Sequence, residues 1–180
     1  MSTLAPPVTG TWTTDTVHST VEFAARHMVV STFRGRLPAF QAVLRAGDDG
    51  LTLTGEGDAR TIVTEDENLT AHLQAPDFLD TQRHPTIRFA SRSVRVDGEE
   101  VTVEGDLTMR GVTRPVEFRG ELRGPAEDPY GNVRLGLEMS ARVDRGDFGM
   151  NWNAPLPGGG LVLGTAVTLS AHLELVRQAL

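Results

Sequence analysis

Between residues 101 and 122 the chain reads VTVEGDLTMRGVTRPVEFRGEL, and its alternation leaves few choices of structure. Val101, Val103, Gly105, Leu107 and Met109 share one parity, and Thr102, Glu104, Asp106 and Thr108 share the other. Side chains of a β-strand point to opposite faces in turn, so this pattern predicts a strand with one apolar and one polar face. Gly111 marks the reversal, and Val116, Phe118, Gly120 and Leu122 resume the alternation in a second strand. Pro115 has no amide hydrogen and belongs at a strand start or an edge. Gly105 and Gly120 fall on the apolar face, where a glycine leaves room, relieves a bend or admits something against the backbone.

The same period runs through most of the chain. Short strands are expected at 11–17 and 19–26, and a less regular one at 33–45 with a bulge or edge position at Pro38. A Gly-Asp-Asp-Gly turn at 47–50 leads to a strand over 51–63. Residues 86–96 form another strand, and Asp97-Gly98 signals a hairpin into the pair above. Residues 125–131 read as a loop, 133–143 as an eleven-residue strand, 146–160 as a Gly-rich loop and 161–175 as the last strand. Only 65–80 breaks the period. Leu69, Leu73, Phe78 and Leu79 there suit a short helical segment interrupted at Pro76, with Glu65, Asp66 and Glu67 at its electropositive start. Residues 1–10, with Pro6 and Pro7, read as a loose leader before one domain over 11–180.

Eight or nine mostly antiparallel strands must hide their edges, by closing a barrel or pairing two sheets. At ~3.4 Å per residue the last strand would run on the order of 50 Å, which favours an elongated barrel. An eight-stranded barrel either fills with its own side chains or holds one small ligand. Alternation alone leaves both possibilities open.

Composition removes several functions. The net charge of −7 argues against nucleic acid, which needs a cationic footprint. All 17 basic residues are arginine, so Schiff-base and Walker-type lysine chemistry are excluded. No cysteine leaves no disulfide, thiolate or thiolate metal site. The five histidines, His18, His27, His72, His84 and His172, show no chelating spacing, and no metal or cofactor is expected. There is no G-x-S-x-G elbow, and Ser140 and Ser170 point outward on the pattern. Asp15 with His18, and Glu22 with Arg26, are candidate ion pairs. No run approaches the ~18 apolar residues of a membrane span, and residues 1–10 lack a signal-peptide pattern, so a cytoplasmic location is expected.

Several motifs, in order, carry a family resemblance. They are Trp12-Thr13-Thr14-Asp15, His18-Ser19, Phe23, His27, Gly35 and His72-Leu73. They continue with His84-Pro85-Thr86-Ile87-Arg88-Phe89, the run from Leu107 to Val116, and Asp147-Phe148-Gly149-Met150. Over residues 11–175 the chain resembles the YceI-like proteins. The resemblance implies an all-β fold, an extended eight-stranded antiparallel lipocalin-like barrel with one short helical segment. It also implies a polyisoprenoid, such as a prenyl-quinone-type lipid, in the lumen, and a homodimer. It carries over no catalytic residue.

The alternation and the resemblance together give the candidate ligand-binding set. Phe23, His27, Phe40, Phe89, Leu107, Met109, Phe118, Leu137, Met139 and Leu169 are the candidate lumen positions. Phe78, Phe148, Met150 and Trp152 are candidates for a mouth or lid, and the methionines supply an adaptable lining. Three functions follow: a non-enzymatic carrier of a long-chain isoprenoid, an enzyme acting on a lipid through His18 or His27 with Asp15, or an interaction module with a filled core.

Overall fold

The computed structural model describes residues 8–179. Of the expected leader, positions 1–7 lie outside these residues; Val8 packs against the core and Gly10 already opens a strand. Ten strands form: β1 (Gly10–Thr14), β2 (Thr20–His27), β3 (Ser31–Arg36), β4 (Phe40–Gly47), β5 (Gly50–Asp58), β6 (Thr86–Asp97), β7 (Glu100–Met109), β8 (Val112–Glu127), β9 (Val133–Asp144) and β10 (Leu163–Arg177). One α-helix, α1 (Glu67–Gln74), lies between β5 and β6.

The order β1-β4-β5-β6-β7-β8-β9-β10 closes on itself through β1 and β10, which gives an eight-stranded antiparallel barrel. β2 and β3 continue the wall beside the first half of β10. Two of the barrel's staves are therefore broken strands. β10 pairs with β1 at Leu175–Arg177 and with β2 at Leu163–His172. The break between β1 and β2 is stitched by backbone and hydroxyl: Asp15 N–H donates to the Glu174 carbonyl at 2.8 Å, and Glu174 N–H donates to Ser19 Oγ at 2.9 Å. The expected single strand over 33–45 is likewise two, β3 and β4. Pro38 has no N–H to continue the ladder, and Leu37 turns inward, buried, over Gly57.

Other boundaries differ from the sequence expectation: the first strand ends at Thr14 rather than 17, and the last runs Leu163–Arg177 rather than 161–175. β5 stops at Asp58, whose carboxylate accepts the Arg60 N–H at 3.0 Å and turns the chain into a 3₁₀ turn, Ala59–Thr61. β8 runs through the expected loop to Glu127, with Pro125 inside the register shift between Arg123 and Ala126. The 101–122 pair forms as read, turning at Arg110 (φ 52°) and Gly111 (φ 70°). Pro115 lies in the stretch of β8 that pairs with β7, before the β9 ladder begins at Arg119. The room left by the two glycines is taken by protein. The Phe89 ring lies where a Gly105 Cβ would stand, 2.5 Å from that position, and the backbone of Glu138 and Met139 crosses Gly120.

The connections define two ends. The turns at 48–49 and 98–99 and the loop 128–132 gather at one; residues 28–30, 59–85, 110–111 and 145–162 gather at the other. At the first end Trp12, Leu44, Val103, Leu135, Leu137 and Leu175 are all buried to 2% exposure or less, a solid plug. At about 25 cal/mol per Å² of apolar surface, such side chains each stabilise the fold by roughly 1.5–3 kcal/mol.

Candidate functional site

The other end is hollow. A cavity of about 210 Å³ lies inside the barrel, walled by β2 to β10 and by residues of the connections at this end. Its lining is almost entirely carbon. A dry apolar void near 150 Å³ is already large enough to take benzene, so this one can hold hydrocarbon.

The lid is built from three segments. Asp66 caps α1 by accepting the Leu69 N–H at 2.8 Å, and α1 lays Leu73 inward. The tight turns after Pro76 bring Phe78 and Leu79 down beside it, buried to 4% and 5%. Gln74 fastens the helix to the 3₁₀ turn through the carbonyls of Arg60 and Ile62, at 3.1 and 3.2 Å. The second segment is the loop 145–162, held by Arg145. This guanidinium is 4% exposed and donates to the carbonyls of Met150 (2.7 Å), Trp152 (2.8 Å) and Gly164 (3.0 Å). Among the described residues no carboxylate lies within ion-pair distance of it, and burial pulls its pKa below the usual arginine range. Its charge therefore meets backbone carbonyls and stands 6.0 Å from the Phe78 ring, and the residue is part of the cavity lining. The third segment is the Arg110-Gly111 turn. Arg110 Nη2 donates to the Pro76 carbonyl at 3.0 Å, and its Nη1 packs on Gly149. Gly111 lies so close under His84 that a Cβ would meet the imidazole at 2.8 Å. The run from Leu107 to Val116 thus clamps both other lid segments.

Ten of the fourteen candidate residues converge on the cavity: Phe23, Phe40, Phe78, Phe89, Leu107, Met109, Phe118, Met139, Met150 and Leu169. Four lie elsewhere. Leu137 points inward but belongs to the solid end, and Phe148 is packed at 1% exposure outside the lining. Trp152 is half-buried above the lid, edge-on to His72 at 4.8 Å and tilted against Phe78 at 5.7 Å. His27 ends β2 in solvent. The residues not anticipated include Leu37, Ala42, Leu73, Ala171 and Arg145. Arg145 had a usable signal: it keeps the odd parity of Leu135, Leu137, Met139, Ala141 and Val143, the inward face of β9.

The polar candidates gather away from the lumen. His18 Nδ1 meets Asp15 at 2.9 Å on the outer surface toward the solid end. Arg134 Nη1 donates to Asp15 at 2.8 Å and to Glu174 at 2.7 Å, while its Nε donates to Asp128 at 2.8 Å. The hydrogen bonds from His18 and then Arg134 hold the Asp15 carboxyl well below the usual carboxylate range. The Asp15 hydrogen bond in turn raises His18. Asp15, His18 and Glu174 bring their donor atoms within 4.8 Å of one another, but Arg134 already bonds both carboxylates, as a cation would. Of the two candidate pairings, Asp15 with His18 forms but neither residue lines the cavity, and His27 lies at the opposite end from Asp15. Glu22 and Arg26 do not pair: four residues apart on a strand puts them about 13 Å apart along it, and Arg26 instead bonds the Val29 carbonyl at 3.0 Å.

A closed eight-stranded barrel, solid at one end and hollow under a lid at the other, places the chain in the class of lipocalin-like barrels. More narrowly, the YceI-like domain matches residues 12–175, and the chain belongs to the YceI-like family. Protein YceI of Escherichia coli O157:H7 is 32% identical over 136 residues, 73% of this chain and 70% of that protein. The Campylobacter jejuni YCEI protein superposes with a TM-score of 0.74 at 21% identity, over 86% of this chain and 90% of that one. A polyisoprenoid binding domain from Saccharophagus degradans superposes with a TM-score of 0.69 at 13% identity, over 93% and 98%. Among the described residues no helix is long and apolar enough to cross a membrane.

Proposed function

We propose that this protein is a non-enzymatic carrier that holds a long-chain isoprenoid of the prenyl-quinone type, or a similar amphiphile, under its lid. The observation that carries the reading is the 210 Å³ apolar cavity, to whose lining α1 and the 145–162 loop contribute Leu73, Arg145 and Met150. The polyisoprenoid-binding neighbour and the YceI-like family point the same way. Drug-sized ligands occupy roughly 300–1,000 Å³, so the cavity as it stands holds a stretch of prenyl chain rather than all of one. Met109, Met139 and Met150 line it, and unbranched methionine side chains can swing aside to lengthen the slot. Among the described residues Arg145 is the one cation in the cavity lining, and a polar head group such as a quinone carbonyl would seat beside it.

Organic extraction of purified protein, followed by native mass spectrometry, tests the reading. One prenyl lipid per chain is expected. Repeatedly lipid-free preparations that also refuse farnesol would remove the basis for it. A cytoplasmic setting and a homodimer belong to the same proposal, tested by cell fractionation and light scattering.

A further inference from the structure

The hairpin between β2 and β3 turns on Met28 and Val29, at φ 53° and 66°. Both are left-handed conformations, which suit glycine or asparagine; a β-branched valine there is strained. Yet the turn is not bent to bury anything. Met28 is 42% exposed, Val29 65% and Val30 82%, and Leu161 beside them is 50% exposed. The patch is held as one unit: Met28 N–H donates to the Val162 carbonyl at 2.7 Å, and Arg26 bonds the Val29 carbonyl at 3.0 Å. Three residues back along β2, about 10 Å, Ala25 lines the cavity, as do Phe33 on β3 and Leu163 on β10. An apolar, strained, solvent-facing tip thus stands at the rim of the hollow end.

We infer that this tip, Met28–Val30 with Leu161, seats in an anionic lipid surface and brings the cavity's rim to the bilayer from which cargo is taken. The inference rests on the lipid-carrier reading above and adds where the lipid comes from. Two observations select a lipid surface over a second copy of the chain. The four side chains expose on the order of 400 Å², about half of what each partner of a stable dimer buries. The wall behind the tip also carries arginines. Arg34, Ala24, Thr168 and Arg142 fall on one register row across β3, β2, β10 and β9, and Arg26 stands at the turn itself. Among the described residues Arg26, Arg34 and Arg142 have no carboxylate within 4 Å, as holds also for Arg36, Arg45, Arg110, Arg114, Arg145 and Arg177; what sets the first three apart is that they gather behind the apolar tip. Asp144, nearby on β9, is engaged by the Gly146 N–H at 2.8 Å. On a chain of net charge −7, the exposed Arg34 and Arg142 offer phosphate head groups a cation beside the apolar tip, and Arg26 is held at the turn by the Val29 carbonyl.

The test is flotation of the full chain with phosphatidylcholine vesicles, with and without phosphatidylglycerol, for the wild type, Val29→Asn and Val30→Asp. Farnesol uptake is followed separately by native mass spectrometry, without vesicles. Neither valine lines the cavity, and asparagine suits the left-handed turn, so Val29→Asn should melt no lower than the wild type. The wild type should float with the anionic vesicles, and each variant should lose about tenfold in partitioning while binding farnesol unchanged. Wild type that does not float, or variants that float equally well, overturn the inference; intact farnesol uptake in that case leaves the carrier reading standing. Flotation that the variants lose, with no farnesol taken up by any form, upholds the tip and removes the carrier reading. A wild-type dimer that Val30→Asp splits assigns the tip to a second copy and overturns the inference.

Discussion

The two ends of the barrel are made from the same strands and the same kinds of side chain, yet one is solid and the other is not. At the solid end Trp12, Leu44, Leu135 and Leu175, on the neighbouring strands β1, β4, β9 and β10, are buried to 2% exposure or less, and the tight connections at 48–49 and 98–99 bring the strands to a close. At the hollow end the facing positions are smaller or displaced. Ala25, Ala42 and Ala171 offer only a methyl group to the lumen, and the Phe23 and Phe89 rings take the space beside Gly35 and Gly105 on neighbouring strands. The void is then covered by long connections instead of being filled. A lumen in this fold comes from small residues, aromatic-over-glycine pairs and a lid acting together; apolar strands alone would produce a plug.

That contrast can be broken from either side. The largest effect is expected from Trp12→Ala, which opens a new cavity in the solid end and should cost about 3–5 kcal/mol in urea unfolding while leaving farnesol uptake intact. Loss of uptake there would mean that the two ends are not separable. Met139→Ala enlarges an existing void and gives up fewer contacts; about 2 kcal/mol is expected, with uptake of longer prenyl chains improved. If it proves as costly as Trp12→Ala, the lumen wall is packed like a core. Ala171→Phe places a ring in empty space, so stability should change by less than about 1 kcal/mol while farnesol uptake disappears.

The smallest effect concerns the outer ion network. His18 has its pKa raised by Asp15, so its contribution is fully present below pH ~6.5 and fades as pH rises through the higher folded value. Asp15 and Asp128 are depressed by hydrogen bonds, from His18 and Asn132 first and Arg134 next, and their contribution is lost only as pH falls below the ordinary carboxylate range. His18→Gln should flatten the slope of melting temperature against pH near and above neutrality and leave lipid uptake unchanged. A shift in uptake with pH that follows His18 would tie this network to the lumen after all.

The barrel was legible in the sequence because alternation reports which face a residue takes. Val101 to Met109 and Leu135 to Val143 fall inward on parity alone. What alternation does not report is depth. Leu137 and Met139 share a face and a strand, and only Met139 reaches the cavity. Breaks were also hidden. Pro38 showed where a strand is perturbed, but not that Leu37 would turn in over Gly57. The Phe89 ring over Gly105 depends on the β6–β7 register, which no local pattern states. His27 and Asp15 looked alike as candidate chemistry, yet the topology sends them to opposite ends. Arg145 was legible by parity, but it falls between the expected strand, which ends at 143, and the expected loop, which begins at 146.

The most direct test of a hollow, ligand-holding end is a native mass spectrometric titration of wild type and Ala171→Phe with farnesol, run side by side. One farnesol per wild-type chain and none on the variant is the predicted result. Equal uptake by both proteins, or none by the wild type, would contradict it.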